Sequence, residues 1–197
     1  MSCECLPLGS LVEIKTGAPM SRAKKIADAD DPIRTKVLVP AAMTGSRIDN
    51  AQLVGEVVSN VKDDLFTRER DVIVKASTPY DCVYIDKNHE GLLVTSFGFI
   101  LRPIAESPVD MRYLALFLGL ERTNLELQAM SKGMTIKLLK KRDIGDLMVP
   151  VPTLAEQTRL GALSESIQRC KELCRAISNR SDLLLQSEFA RIAQSVC

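Results

Sequence analysis

The sequence predicts an α+β protein in two parts, a β-rich domain with packed helices over residues 1–152 and a long coiled-coil helix over residues 153–197. Three observations carry this prediction. Short runs rich in Val and Ile, broken by Gly, Pro and Asn turns, fill much of the first hundred residues. From Asp110 the apolar residues recur at helical spacing instead. Beyond Pro152 there is no further Pro, and beyond Gly161 no further Gly, which leaves a long uninterrupted helical stretch.

In chain order, residues 6–16 (LPLGSLVEIKT) read as a short helix or turn leading into Gly17. Residues 36–40 (KVLVP) form a short strand, and residues 41–50 turn around Thr44-Gly45-Ser46, with Arg47 just after. Residues 55–61, 71–75 and 82–86 are further strands, and residues 92–101 make a fifth and a sixth. Met111, Leu114, Phe117, Leu118 and Leu125 predict one helix over 110–130, capped by Asp110 and broken at Ser131-Lys132-Gly133. A short helix over 137–141 precedes a strand over 146–151.

Thr153 caps the last helix, and Glu156, three residues on, completes a capping box. Leu160, Leu163, Ile167, Cys170, Cys174, Ile177, Ser181 and Leu184 alternate spacings of three and four, the a/d seam of a coiled coil. Leu185, Phe189, Ile192 and Val196 follow after an extra spacing of four, a stutter. Such a helix is roughly 60 Å long at about 1.5 Å per residue. It outruns what the preceding domain can cover, so its stripe predicts a partner helix, with parallel and antiparallel pairing both open.

Composition narrows the function classes. Apolar residues make up 46% and charged residues 26%, ordinary for a soluble domain with a real core. The longest uncharged apolar runs, such as 91–101, fall short of the roughly 18 residues a membrane span requires. The opening MSCECLPLGS has no basic flank and no long apolar stretch, so no signal peptide and a cytoplasmic location are expected. Lys and Arg number 26 against 25 Asp and Glu, but they cluster. Residues 14–27, 32–48 and 127–142 each carry several cations and no acid; the first holds Lys15, Arg22, Lys24 and Lys25, the second Arg34, Lys36 and Arg47, and the last Lys132, Lys137, Lys140, Lys141 and Arg142. Such segments suit a phosphate backbone or simply a solvated face.

Little catalytic chemistry is visible. No glycine-rich phosphate loop occurs, and a single histidine, His89, leaves no room for a triad or a His-based metal site. His89 reads as a surface turn residue. Thr78-Pro79-Tyr80-Asp81 echoes the adenine-methyltransferase signature only distantly and reads as a turn. The six cysteines lack a C-x-x-C pair, and a zinc site joining Cys170 and Cys174 to Cys3 and Cys5 fits no familiar ligand spacing. Buried apolar roles are the better reading for them. A binding protein without catalytic residues, metal or cofactor is the expectation.

The order of the pieces resembles one half of the specificity subunit of type I restriction-modification systems. Leu8-Gly9-Ser10 looks like the family's opening, and Phe66 to Lys75 sits where the family has a Gly-Asp-Val-Leu strand, with Arg70 in place of the glycine. Thr95-Ser96 to Arg102-Pro103, Tyr113-Leu114 and Gly133-Met134-Thr135 resemble later motifs. The most specific piece is Val149-Pro150-Val151-Pro152 running into Glu156-Gln157, similar to the entry into the family's spacer helix.

The resemblance implies a target-recognition domain and a spacer or dimerisation helix, with double-stranded DNA as ligand. A full subunit of the family has two such halves with antiparallel helices, so two copies of this chain are expected to pair as a homodimer. It also implies methyltransferase and endonuclease partner subunits, which would hold the catalysis. Phosphate contacts are expected from Arg22, Lys24, Lys25, Lys132, Lys140 and Lys141, and base contacts from Arg34, Arg47, Lys75, Thr135 and Lys137. The pairing positions are Leu160, Leu163, Ile167, Cys170, Cys174, Ile177 and Leu184. Two rival readings are a coiled-coil adaptor that ignores DNA and a silent cassette that never assembles.

Overall fold

The computed structural model describes residues 4–20, 32–59, 61–130 and 138–196. It is an α+β fold in which a four-stranded antiparallel sheet is covered on both faces. That sheet has the order β2 (Val12–Thr16), β10 (Gly98–Pro103), β7 (Val72–Lys75), β8 (Cys82–Tyr84). Val72 and Val74 point to one face and Ile73 to the other; Phe99 and Leu101 oppose Ile100 in the same way. Burial on both sides is why these strands read as continuous apolar runs rather than alternating ones.

One face packs against α1 (Leu8–Leu11), α2 (Met111–Leu118), α3 (Glu121–Met130) and α4 (Lys141–Gly145), through Leu8, Leu11, Leu114, Leu118, Leu127 and Ile144. The other face packs beneath Leu38, Met43, Ile85 and Val94. There β3 (Ile33–Leu38) lies between β6 (Val54–Val58), antiparallel, and β9 (Leu93–Val94), parallel. A hairpin of β4 (Met43–Thr44) and β5 (Arg47–Ile48) turns at Gly45, whose φ of 61° suits glycine. β1 (Glu4–Pro7) pairs antiparallel with β11 (Met148–Val151), tying two ends of the domain together. Gly17 is required by packing: a Cβ there would run into the Thr95 backbone.

Several sequence expectations need correction. Residues 6–16 hold two strand segments around a single helical turn, since Leu6 and Pro7 find their ladder partners in distant Val149 and Met148. The helix expected over 110–130 is two helices, broken at Gly119, whose N–H closes the α2 turn on Ala115 and Leu116 carbonyls. The break shifts the buried face, so Leu127 is buried while Leu125 is exposed. The short helix falls at Lys141–Gly145 rather than 137–141. Of the described cysteines only Cys82 is buried, and burial pushes its thiol up to about 12; Cys5, Cys170 and Cys174 are exposed. The cysteines of the long helix are exposed because they lie on a stripe that none of the described residues covers. His89 is half-buried in a turn and pairs with Asp86 at 2.6 Å.

Arg70 has φ 72°, at the third position of a turn closed by the Asp71 N–H on the Arg68 carbonyl. That geometry favours glycine, the residue the resemblance led one to expect there. An L side chain in this region costs about 1–2 kcal/mol.

The last helix, α5 (Leu154–Val196), is a single element of 43 residues. Thr153 and Glu156 form the expected capping box, with Glu156 accepting from the Thr153 N–H at 3.1 Å and the Thr153 hydroxyl accepting from the Glu156 N–H at 3.4 Å. The Thr153 hydroxyl holds the Glu156 carboxyl below its usual range. The chain divides into two compact units, 1–161 and 162–197, so residues 154–161 belong with the first. Among the described residues no helix is long and apolar enough to cross a membrane.

Candidate nucleic-acid interface

Within the three basic segments, the described cations that hold no ion pair fall on three separate elements. On β3, Arg34 and Lys36 are exposed and share a face by strand alternation. Their cross-strand neighbours on β6 are Val57 and Gly55, and nothing lies within 4 Å of where a Gly55 side chain would start. The opposite face of the same strands holds buried Val37 and Val58. A two-stranded ribbon with an open, uncrowded, cationic face is a shape that a DNA major groove admits. Lys36 counted in the sequence only as part of a basic segment; its spacing of two from Arg34 was the signal that pairs them.

Lys140 and Lys141 sit at the start of α4 with exposed side chains. Asp143 accepts the Lys140 backbone N–H at 3.1 Å, which fixes the turn and leaves both ammonium groups to solvent. Arg47 stands opposite Thr44 in the β4–β5 hairpin and is half-buried, and its Nε finds no hydrogen-bond partner among the described residues.

Lys75 differs from these. It is half-buried and its ammonium already holds Asp81 at 2.7 Å, so it is occupied within the fold. Lys15 is likewise taken up by Asp64 at 3.0 Å and Glu13 at 3.1 Å, and the Asp64 contact raises its affinity for protons. Arg22, Lys24, Lys25, Lys132, Thr135 and Lys137 lie outside the described residues. No hydrogen bond or ion pair among the described residues joins the β3, hairpin and α4 cations to one another.

The motif residues that carried the sequence resemblance are structural. Arg102 grips Asp71 in a bidentate fork, Nε to Oδ1 at 2.9 Å and Nη2 to Oδ2 at 2.6 Å, and also donates to the Asp64 and Phe66 carbonyls. Asp71 raises the affinity of Arg102 for its proton further. The Gln157 amide is 1% exposed and donates to the Pro108 and Pro152 carbonyls, both at 2.9 Å, while accepting from the Asp110 N–H at 2.7 Å. The Tyr113 hydroxyl donates to the Pro150 carbonyl at 2.7 Å. These bonds lock the exit of β11 and the first turn of α5 onto the start of α2.

The pairing positions follow α5. Leu160 is half-buried against the domain core, whereas Leu163, Ile167, Cys170, Cys174, Ile177 and Leu184 are exposed, Ile177 by 67%. The fold and this stripe define a class, a β-rich domain followed by a long helix whose apolar seam is exposed among the described residues.

No family model matches the sequence, and no curated protein matches it. Solved structures do. A chain of a type I R-M system, from work on its complex assembly and conformational transition, matches with TM-score 0.60 and 18% identity, over 88% of this chain and 40% of that one. The HsdS subunit from Thermoanaerobacter tengcongensis matches with TM-score 0.57 and 18% identity, over 88% and 39%. The type I restriction-modification S subunit from M. genitalium matches with TM-score 0.58 and 15% identity, over 93% and 44%. This chain therefore has the fold of a type I specificity subunit and spans about 40% of the length of the first such chain.

Proposed function

We propose that this chain is a half-length, sequence-specific DNA-binding subunit of a cytoplasmic type I restriction-modification system. In this reading it has no catalysis of its own and directs methyltransferase and endonuclease subunits to a target site. The recognition module is residues 1–152 and the spacer helix residues 153–197. Two copies pair through the helix and each module reads one half-site, so the target is an interrupted palindrome. The observation that carries the reading is the fold shared with S subunits over somewhat less than half their length. The exposed seam of α5 supports a second copy as its partner.

Phosphate contacts fall to Lys140 and Lys141, joined by Arg22, Lys24, Lys25 and Lys132. Base-edge contacts fall to Arg34 and Arg47, with Thr135 and Lys137; the ion pair of Lys75 makes it the weakest member of that set. Replacing Lys140 and Lys141 together by Ala is expected to weaken duplex binding and to lower the slope of log K against log salt by about 0.9 for each lost phosphate contact. Titrations by fluorescence anisotropy over a range of salt concentrations measure this. An unchanged slope removes both lysines from the interface.

A further inference from the structure

The seam of α5, exposed from Leu163 on and half-buried at Leu160, is close to a mirror image of itself. Leu160 and Leu184, Ile167 and Ile177, and Cys170 and Cys174 are three pairs of identical residues, each centred on Glu172. The fourth pair, Leu163 with Ser181, is centred on the same residue. An antiparallel pair of identical helices has its twofold axis across the helices, and it stacks residues equidistant from that axis. Resting on the two-copy reading above and on the antiparallel helices that the family resemblance implies, we infer that the twofold axis of the α5 pair lies at Glu172, placing Cys170 against the partner's Cys174.

Three further features favour this arrangement over a parallel one. In a parallel pair Ser181 meets the partner's Ser181, a polar and underfilled layer; in the antiparallel pair it meets Leu163, whose bulk fills the space. The spacing of the seam changes just after Leu184, whose mirror position is Leu160. Beyond that layer an antiparallel partner offers only the first turns of its helix, so the heptad ends where the partner's seam ends. A parallel pair gives no reason for a change at that point. Leu173 is 58% exposed and flanks the seam, and at the axis it packs against the partner's Leu173. On the other flank Lys171 faces the partner's Lys171, a like-charge contact that salt screens. The small Cys layers at the centre let the helices approach most closely there.

The test uses the full chain with Cys3, Cys5 and Cys197 replaced by Ser, leaving buried Cys82 untouched. Light scattering first establishes the number of copies. Two differently tagged versions, C170S and C174S, are then produced separately and together and treated with diamide. Each bridge forms from two thiols, whose two electrons and two protons pass to the diamide N=N bond. The expected result is a bridged species in the mixed sample about tenfold above either version alone, because only the mixed dimer sets Cys170 and Cys174 within bridging distance.

Bridging within each version alone means a parallel pair and overturns the inference while leaving the two-copy reading intact. A dimer that bridges in none of the samples puts the axis elsewhere and also overturns it. A monomer removes both. A charge swap gives an independent readout. I167E alone is expected to weaken the dimer, and I167E with I177K to recover up to about a hundredfold of that loss, since each Glu then faces a Lys. No recovery contradicts the register.

Discussion

Asp71→Ala is expected to destabilise the domain by about 3–5 kcal/mol, because it strands a guanidinium inside the fold. Asp71 is fully buried, and Arg102 is nearly so. Both carboxylate oxygens are used by Arg102, and Oδ2 also accepts the Arg68 N–H at 2.9 Å. Removing the carboxylate leaves the cation with two carbonyls and only the less direct charges of Glu13 and Asp64. Against a typical total stability of about 5–15 kcal/mol, such a loss is a large part of the margin. Urea unfolding measures it. The double change Asp71→Ala with Arg102→Met is expected to cost less than Asp71→Ala alone, since no charge is then left buried. A single variant with an unchanged urea midpoint would show that the pair adds nothing to the fold.

Gln157→Ala is expected to cost about 2–4 kcal/mol by orphaning the Asp110 N–H and the Pro108 and Pro152 carbonyls. Gln157→Glu separates geometry from volume. It keeps the acceptor for Asp110 but turns a carboxylate toward two carbonyl oxygens, so it is expected to be at least as damaging as Ala. The same unfolding experiment reads both. A glutamate variant as stable as the wild type would mean that the amide does not make these bonds. These bonds set how the first turn of α5 leaves the β-rich domain.

Strands such as 71–75 and 82–86 were legible because burial on both sheet faces selects unbroken Val, Ile and Tyr. The capping box at Thr153 was legible because both partners lie within one turn. What stayed hidden was non-local. The β1–β11 ladder joins Glu4 to Val151, and neither segment alone announces its partner. The Arg102–Asp71 fork crosses 31 positions with no spacing to mark it. The break at Gly119 was masked because Leu125 happens to continue the period of the preceding helix, although it faces solvent.

The candidate interface divided in the same way. Charge clustering singled out Arg34, Lys140 and Lys141, which are exposed; Lys75, chosen instead for its place beside a loop, is held by Asp81. A local charge count cannot tell a free lysine from a paired one, because the pairing partner is set by the turn between two strands. The seam of α5 was the clearest functional signal, since a helix that exposes Ile and Leu at heptad spacing declares an unmet partner within one continuous segment.

The central claim is that two copies of this chain read DNA as a symmetric pair. Selection of duplexes bound by the full chain from a random library, followed by sequencing, tests it most directly. The expected result is one enriched motif built of the same half-site twice, inverted and separated by a fixed gap. An asymmetric motif, or no enrichment over the starting library, contradicts it.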